Sequence, residues 1–193
     1  MNIEYEATYE NINKDDIRAK LIKLGAKLIK PEFIQKRIVF NLPQGHEIEN
    51  AWLRIRDEGN KITMSLKVLD GDKIYNQKET MLEVDNFKEA EKLLTLIGCK
   101  KKAFQESKRE LWNLNGVEVT IDEWPFLEPF VEVEGRSEKD VKKMSNKLGF
   151  NYSEALFCSV DILYNRKYGI DLDKINYNMP LISFDMKNPF IVL

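Results

Sequence analysis

Residues 51–69 read AWLRIRDEGNKITMSLKVL, two runs of alternating polar and apolar side chains joined by Asp57-Glu58-Gly59-Asn60. Period-two alternation marks a strand with two unlike faces, and a joint rich in Asp, Gly and Asn suits a tight antiparallel hairpin. In the first run Arg54 and Arg56 share a face against Leu53 and Ile55, and in the second the polar side ends in Lys67. A solvated sheet face usually mixes Thr, Ser, Lys and Glu. Here the polar face is narrower and cationic.

The pattern extends in both directions. Glu4 and Glu6 alternate with Ile3, Tyr5 and Ala7, while Glu132 and Glu134 alternate with Val131 and Val133. Thr120 and Asp122 share a face against Val119 and Ile121. Strands are expected near 2–9, 33–41, 51–57, 61–69, 76–85, 104–114, 117–124 and 129–135. Asp70-Gly71-Asp72 and Asn115-Gly116 supply further tight turns. Helices are expected over Lys14–Lys27, Asn86–Gly98 and Ser137–Gly149, each with an apolar stripe and a Gly stop, and a fourth near Val160–Tyr168.

A single charged strand face is most often just solvated. Several amphipathic helices, however, need apolar sheet surface to cover, which turns the charged faces inward. The expected fold is therefore α+β, a closed antiparallel β-barrel (tunnel) of about eight strands with helices packed outside. The barrel domain is placed at 1–170, and residues 171–193 are a tail packing on the barrel or on a partner. Charges inside a barrel cost several kcal/mol each (roughly) unless paired or bound to ligand, so such a lumen points to function.

The composition excludes other classes. The 193 residues carry 30 Lys+Arg and 32 Asp+Glu, a near balance that lacks the basic footprint of a nucleic-acid binder. The opening MNIEYEATYENINK has no signal-peptide core, and no apolar run is long enough to span a bilayer, so a cytoplasmic location without membrane contact is expected. Cys99 and Cys158 read as reduced core thiols. His46 is the only histidine and sits in a polar loop, which argues against catalytic triads and multi-histidine zinc sites.

Paired carboxylates without histidine or thiolate ligands favour a hard cation, Mg²⁺ or Mn²⁺, and nearby Arg and Lys suit a polyphosphate. No GxxxxGK[ST] loop is present, so phosphate would be held by side chains.

Taken in order, Glu4-Tyr5-Glu6, Arg54-Ile55-Arg56, Lys67 and Glu132-Val133-Glu134 resemble the CYTH superfamily. These triphosphate tunnel metalloenzymes include class IV adenylyl cyclases, thiamine triphosphatases and inorganic tripolyphosphatases. Glu79, Arg109 and Asp122 also fall where that family has charged tunnel residues. The resemblance implies that Arg54, Arg56, Lys67 and Arg109 grip a triphosphate. It implies that Glu4, Glu6, Glu132 and Glu134 hold divalent ions, with Asp122 and Glu79 beside them. Thr8 and Ser107 stand where the family has lysines, and Met81 stands where a second carboxylate after Glu79 is expected. Lys108, turned inward by a bulge, or Lys36 or Arg37 on the second strand, are candidates to restore the charge.

The leading expectation is an enzyme, a metal-dependent hydrolase of an inorganic or organic triphosphate: tripolyphosphate, ATP or thiamine triphosphate. A class IV-type adenylyl cyclase is the first alternative, and a degenerate, non-catalytic binding module is the second. For thiamine triphosphate, Trp52, Trp124 and Tyr9 are candidate aromatic contacts. The external helices and the tail offer surface for a homodimer.

Overall fold

In the computed structural model, which describes residues 1–191, the chain forms ten strands and five α-helices. The strands are β1 (Asn2–Ile3), β2 (Tyr5–Tyr9), β3 (Lys27–Asn41), β4 (Ala51–Asp57), β5 (Ile62–Leu69), β6 (Gln77–Val84), β7 (Lys100–Leu114), β8 (Val117–Glu123), β9 (Phe130–Gly135) and β10 (Leu181–Ile182). The helices are α1 (Lys14–Lys23), α2 (Phe87–Leu96), α3 (Glu138–Leu148), α4 (Val160–Tyr168) and α5 (Leu172–Asn178).

Nine strands run in the order β1-β6-β5-β4-β3-β7-β8-β9-β2, every neighbouring pair antiparallel. The two ends of that order, β1 and β2, are consecutive in the chain and separated only by Glu4. The N-terminal segment is therefore the stave that brings the two edges together. It pairs with β6 through Asn2 and Ile3 on one side and with β9 through Tyr5 to Tyr9 on the other. Closure removes free sheet edges and makes an inside and an outside from the period-two pattern. The expected barrel is borne out.

The outside is apolar because the helices lie there. Ile38, Phe40 and Ile55 pack with Ala90 and Leu94 of α2. Trp112, Val119, Ile121, Val131 and Val133 pack with Ile17 and Leu21 of α1 and with Val141, Met144 and Leu148 of α3. Local chemistry sets the ends of these helices. Asn13, Asn86 and Ser137 each accept backbone N–H bonds as N-caps, and Gly149 ends α3 at φ 86°, a left-handed conformation open to glycine without strain.

The C-terminal segment adds a second layer. β10 runs parallel to β7 at Phe104 and Gln105, beyond the stretch of β7 that pairs with β8. Ile175, Ile182 and Phe190 are buried with Trp124, Phe130 and Tyr164. Val192 and Leu193, the last residues of the expected tail, lie outside the described residues. Cys99 is buried in the cluster under α2, Cys158 is half-buried, and both are free. No helix among the described residues is long and apolar enough to cross a membrane.

Candidate active site in the barrel lumen

Strand parity decides which charges enter the lumen. On β4, Leu53 and Ile55 face the helices, so Trp52, Arg54 and Arg56 face inward; on β3, Ile38 and Phe40 lie under α2, so Arg37 faces inward. Lys67 on β5, Glu79 on β6, Arg109 on β7, Glu118 on β8, and Glu132 and Glu134 on β9 join Glu4 and Glu6 around one cavity of ≈ 1560 Å³. That exceeds the roughly 300–1,000 Å³ of an ordinary small-ligand pocket. The volume admits a polyphosphate together with an attached organic group, so size alone does not choose the substrate.

Most lumen cations are held by acids of the wall. Lys67 Nζ lies 2.7 Å from Glu4 Oε2, Arg54 Nη2 is 3.0 Å from Glu79 Oε1, and Arg56 Nη2 is 2.8 Å from Glu58 Oε1. Arg109 bridges two acids, donating from Nε to Asp122 Oδ1 at 2.7 Å and from Nη2 to Glu132. Thr120 Oγ1 donates to the other oxygen of Asp122, whose side chain is fully buried. Among the described residues, the buried Nε atoms of Arg37, Arg54 and Arg56 have no hydrogen-bond partner. Buried donors without partners are costly, and three in one lumen are chemically suited to an anion.

The electrostatics follow from this crowding. Burial, with Arg54 and Arg109 nearby, lowers Arg56 to about 10. Burial lifts Glu4 to about 7 against the pull of Lys67. Glu79 is held at about 2: burial opposes its ionisation, but a hydrogen bond from Glu4 and the charges of Lys67 and Arg54 prevail. Burial and then Glu132 push Glu6 well above the carboxylate range, and burial and then Glu118 raise Glu134.

A divalent cation suits this wall. β2, β9 and β8 align Glu6 with Glu134 and Glu134 with Glu118, while Glu132 sits between Thr8 and Thr120. Neither Glu6 nor Glu134 has a salt-bridge partner among the described residues, and both are raised by burial and by like charge. Among the described residues no three His, Cys, Asp or Glu groups converge as a ready-made metal cage. Mg²⁺ does not require one, since it is commonly bound by one or two carboxylates, water and substrate phosphate. The donor set fits a hard cation that arrives with a polyphosphate.

A pH dependence follows. Raised folded-state values for Glu4, Glu6 and Glu134 mean that the native state binds more protons than the unfolded chain above the ordinary value of 4.5, so this stability is lost as pH rises toward 7. Glu79 acts in the opposite sense, its contribution being lost as pH falls from 4.5 toward about 2. Ligand-free protein is expected to melt about 5 °C higher at pH 5 than at pH 8, by scanning calorimetry, and Mg²⁺ should narrow the gap. A melting temperature that climbs from pH 5 to pH 8 without metal would refute this assignment.

Of the residues singled out from the sequence, Glu4, Glu6, Arg54, Arg56, Lys67, Glu79, Arg109, Glu132 and Glu134 all line the cavity, and Asp122 is bonded to Arg109 beside it. Lys108 does not join them. Its strand pairs regularly there, without a bulge, and its Nζ binds Glu123 at 3.0 Å, away from the cavity lining. Lys36 also points away, half-exposed and 3.9 Å from Glu106, so Arg37 is the cation that enters from β3. Trp52 and Trp124 line the cavity, whereas Tyr9 stacks on Phe150 with ring centroids 4.2 Å apart. Glu118 escaped notice, although it alternates with Val117 and Val119 in step with Thr120 and Asp122. Met81 lines the cavity and is exposed, and His46 is exposed.

The fold recurs in known proteins. A CYTH-domain family model matches residues 1–162. The chain belongs to the CYTH family. This CYTH chain is 27% identical over 170 residues to a Methanocaldococcus jannaschii protein named "putative adenylate cyclase", covering 86% of this chain and 96% of that one. It shares its fold with a solved Vibrio parahaemolyticus "putative adenylate cyclase" (TM-score 0.73, 11% identity, 84% of this chain and 97% of the other). It also matches a Hippeastrum "putative adenylyl cyclase" described as having a dominant triphosphatase activity (TM-score 0.55, 13% identity, 88% and 99% covered). Among these similar proteins, then, both cyclase and triphosphatase names occur.

Proposed function

We propose that this CYTH protein is a metal-dependent hydrolase of a triphosphate compound. The observation that carries the reading is the set of three buried guanidinium Nε donors without partners among the described residues, sharing one barrel lumen with a wall of protonation-prone carboxylates. Arg54, Arg56 and Arg109, with Lys67, bind and orient the phosphate chain, and the guanidinium forks suit phosphoryl oxygens. The oxygen of a water molecule bonds to the terminal phosphorus while the bridging P–O bond breaks. The fixed cations stabilise the charge that gathers on the leaving diphosphate oxygen. Mg²⁺ or Mn²⁺, when bound by carboxylates drawn from Glu4, Glu6, Glu132 and Glu134, supplies charge neutralisation at the reacting phosphoryl group.

The test is product analysis. Purified protein with Mg²⁺ or Mn²⁺ is given tripolyphosphate, ATP or thiamine triphosphate, and phosphate, pyrophosphate and cyclic AMP are measured. Phosphate release from at least one of them is expected. Cyclic AMP with stoichiometric pyrophosphate from ATP would replace this reading with a cyclase. Thermal stabilisation by the same compounds without turnover would replace it with a binding module.

A further inference from the structure

Arg37 differs in its partners from Arg54, Arg56, Lys67 and Arg109. Its Nη2 donates to Gln35 Oε1 at 2.8 Å and to Ser107 Oγ, and its guanidinium carbon lies 4.4 Å from the centre of the Trp124 ring. All three partners are neutral. Among the described residues Arg37 has no carboxylate within salt-bridge distance, whereas Arg54, Arg56, Lys67 and Arg109 each have one or two. It is 6% exposed, and its Nε is one of the unpartnered donors. Burial and then the neighbouring Arg54, Arg56 and Arg109 push it well below the ordinary arginine range.

We propose that Arg37 is the residue that sets polyphosphate affinity and selects for ligand charge, because the chain leaves its charge to be neutralised by a bound anion. The inference rests on the triphosphate reading of the lumen. Arg54, Arg56, Lys67 and Arg109 each already have a wall carboxylate beside them that offsets their charge, so their net gain from a phosphate oxygen is reduced by the pairing they start with. Arg37 exchanges only neutral partners and relieves a buried, repelled charge. Coulomb attraction scales with ligand charge, so this gain is larger for tripolyphosphate than for pyrophosphate. Because Gln35 faces Ser107 across β3 and β7 and Arg37 touches both side chains, a lysine at 107 would bring a cation to the same part of the lumen.

Calorimetric titration with inorganic tripolyphosphate and with pyrophosphate tests this on Arg37→Gln, Arg37→Lys and Arg37→Gln/Ser107→Lys. Arg37→Gln is expected to weaken tripolyphosphate binding about tenfold or more, to narrow its preference over pyrophosphate, and to leave the ligand-free melting temperature unchanged or higher. Arg37→Lys and the relocated cation at 107 should each recover most of the affinity. Binding within threefold of the parent in Arg37→Gln would overturn the inference while leaving the triphosphate reading intact. A markedly lower ligand-free melting temperature in Arg37→Gln would also overturn it, making Arg37 a brace of the wall. If the parent protein binds no tripolyphosphate, the triphosphate reading fails and the inference falls with it.

Discussion

Arg54→Ala/Arg56→Ala is expected to reduce kcat/KM for phosphate release by about a thousandfold or more while leaving the barrel folded. The loss is large because two charge-bearing forks on one stave are proposed to act on the same ligand, and water supplies no positive charge in their place. Folding should survive because the substitution also relieves burial of charge and repulsion: burial, and then the charges of Arg54 and Arg109, hold Arg56 at about 10. The acids left behind retain partial compensation, Glu58 from Lys61 at 3.7 Å and Glu79 from the charge of Lys67. The measurement is steady-state phosphate release alongside a thermal melt. A shift of only a few degrees is expected, since about 1 kcal/mol moves a chain of this size by roughly 2–4 °C. Turnover within tenfold of the parent, with the fold intact, would remove Arg54 and Arg56 from the proposed grip.

Much of this architecture could be read in the order of the residues. Alternation alone located the eight staves, and the need of α1, α2 and α3 for apolar surface showed that the charged faces turn inward. Other features depended on contacts that no local pattern encodes. β3 begins at Lys27 and β7 at Lys100, earlier than the expected 33 and 104. Register shifts between Leu28 and Phe33, around Pro31, break the alternation that would have revealed the start of β3. α5 is seven residues long and strongly polar, too short for periodicity to stand out, and it is anchored through the buried Ile175. The direction of Arg37 against Lys36 turns on one-residue parity, settled by Ile38 and Phe40 lying under α2. The same parity sends Lys108 out toward Glu123, while Ser107 and Arg109 point in.

Arg109 should prove to be the site where stability and function separate. Asp122 is 0% exposed and holds its charge through Arg109 and Thr120, while Glu132 shares the same guanidinium. Burial raises Asp122 even with Arg109 in place, so Arg109→Met leaves a carboxylate that water cannot reach and that has lost its hydrogen-bonded cation. Breaking one side of a buried pair typically costs about 3–5 kcal/mol, so a fall in melting temperature of roughly 10 °C at pH 8 is expected. The orphaned acid can escape by taking up a proton, which makes the deficit smaller at pH 5.5 than at pH 8. Arg109→Met/Asp122→Asn removes the charge outright and should regain more than half of the lost stability at pH 8. It should regain none of the proposed triphosphate binding, because the cation proposed to face the ligand is still missing. If Arg109→Met instead melts with the parent at pH 8, water reaches Asp122 in solution, and the ion pair contributes nothing to holding β7, β8 and β9 together.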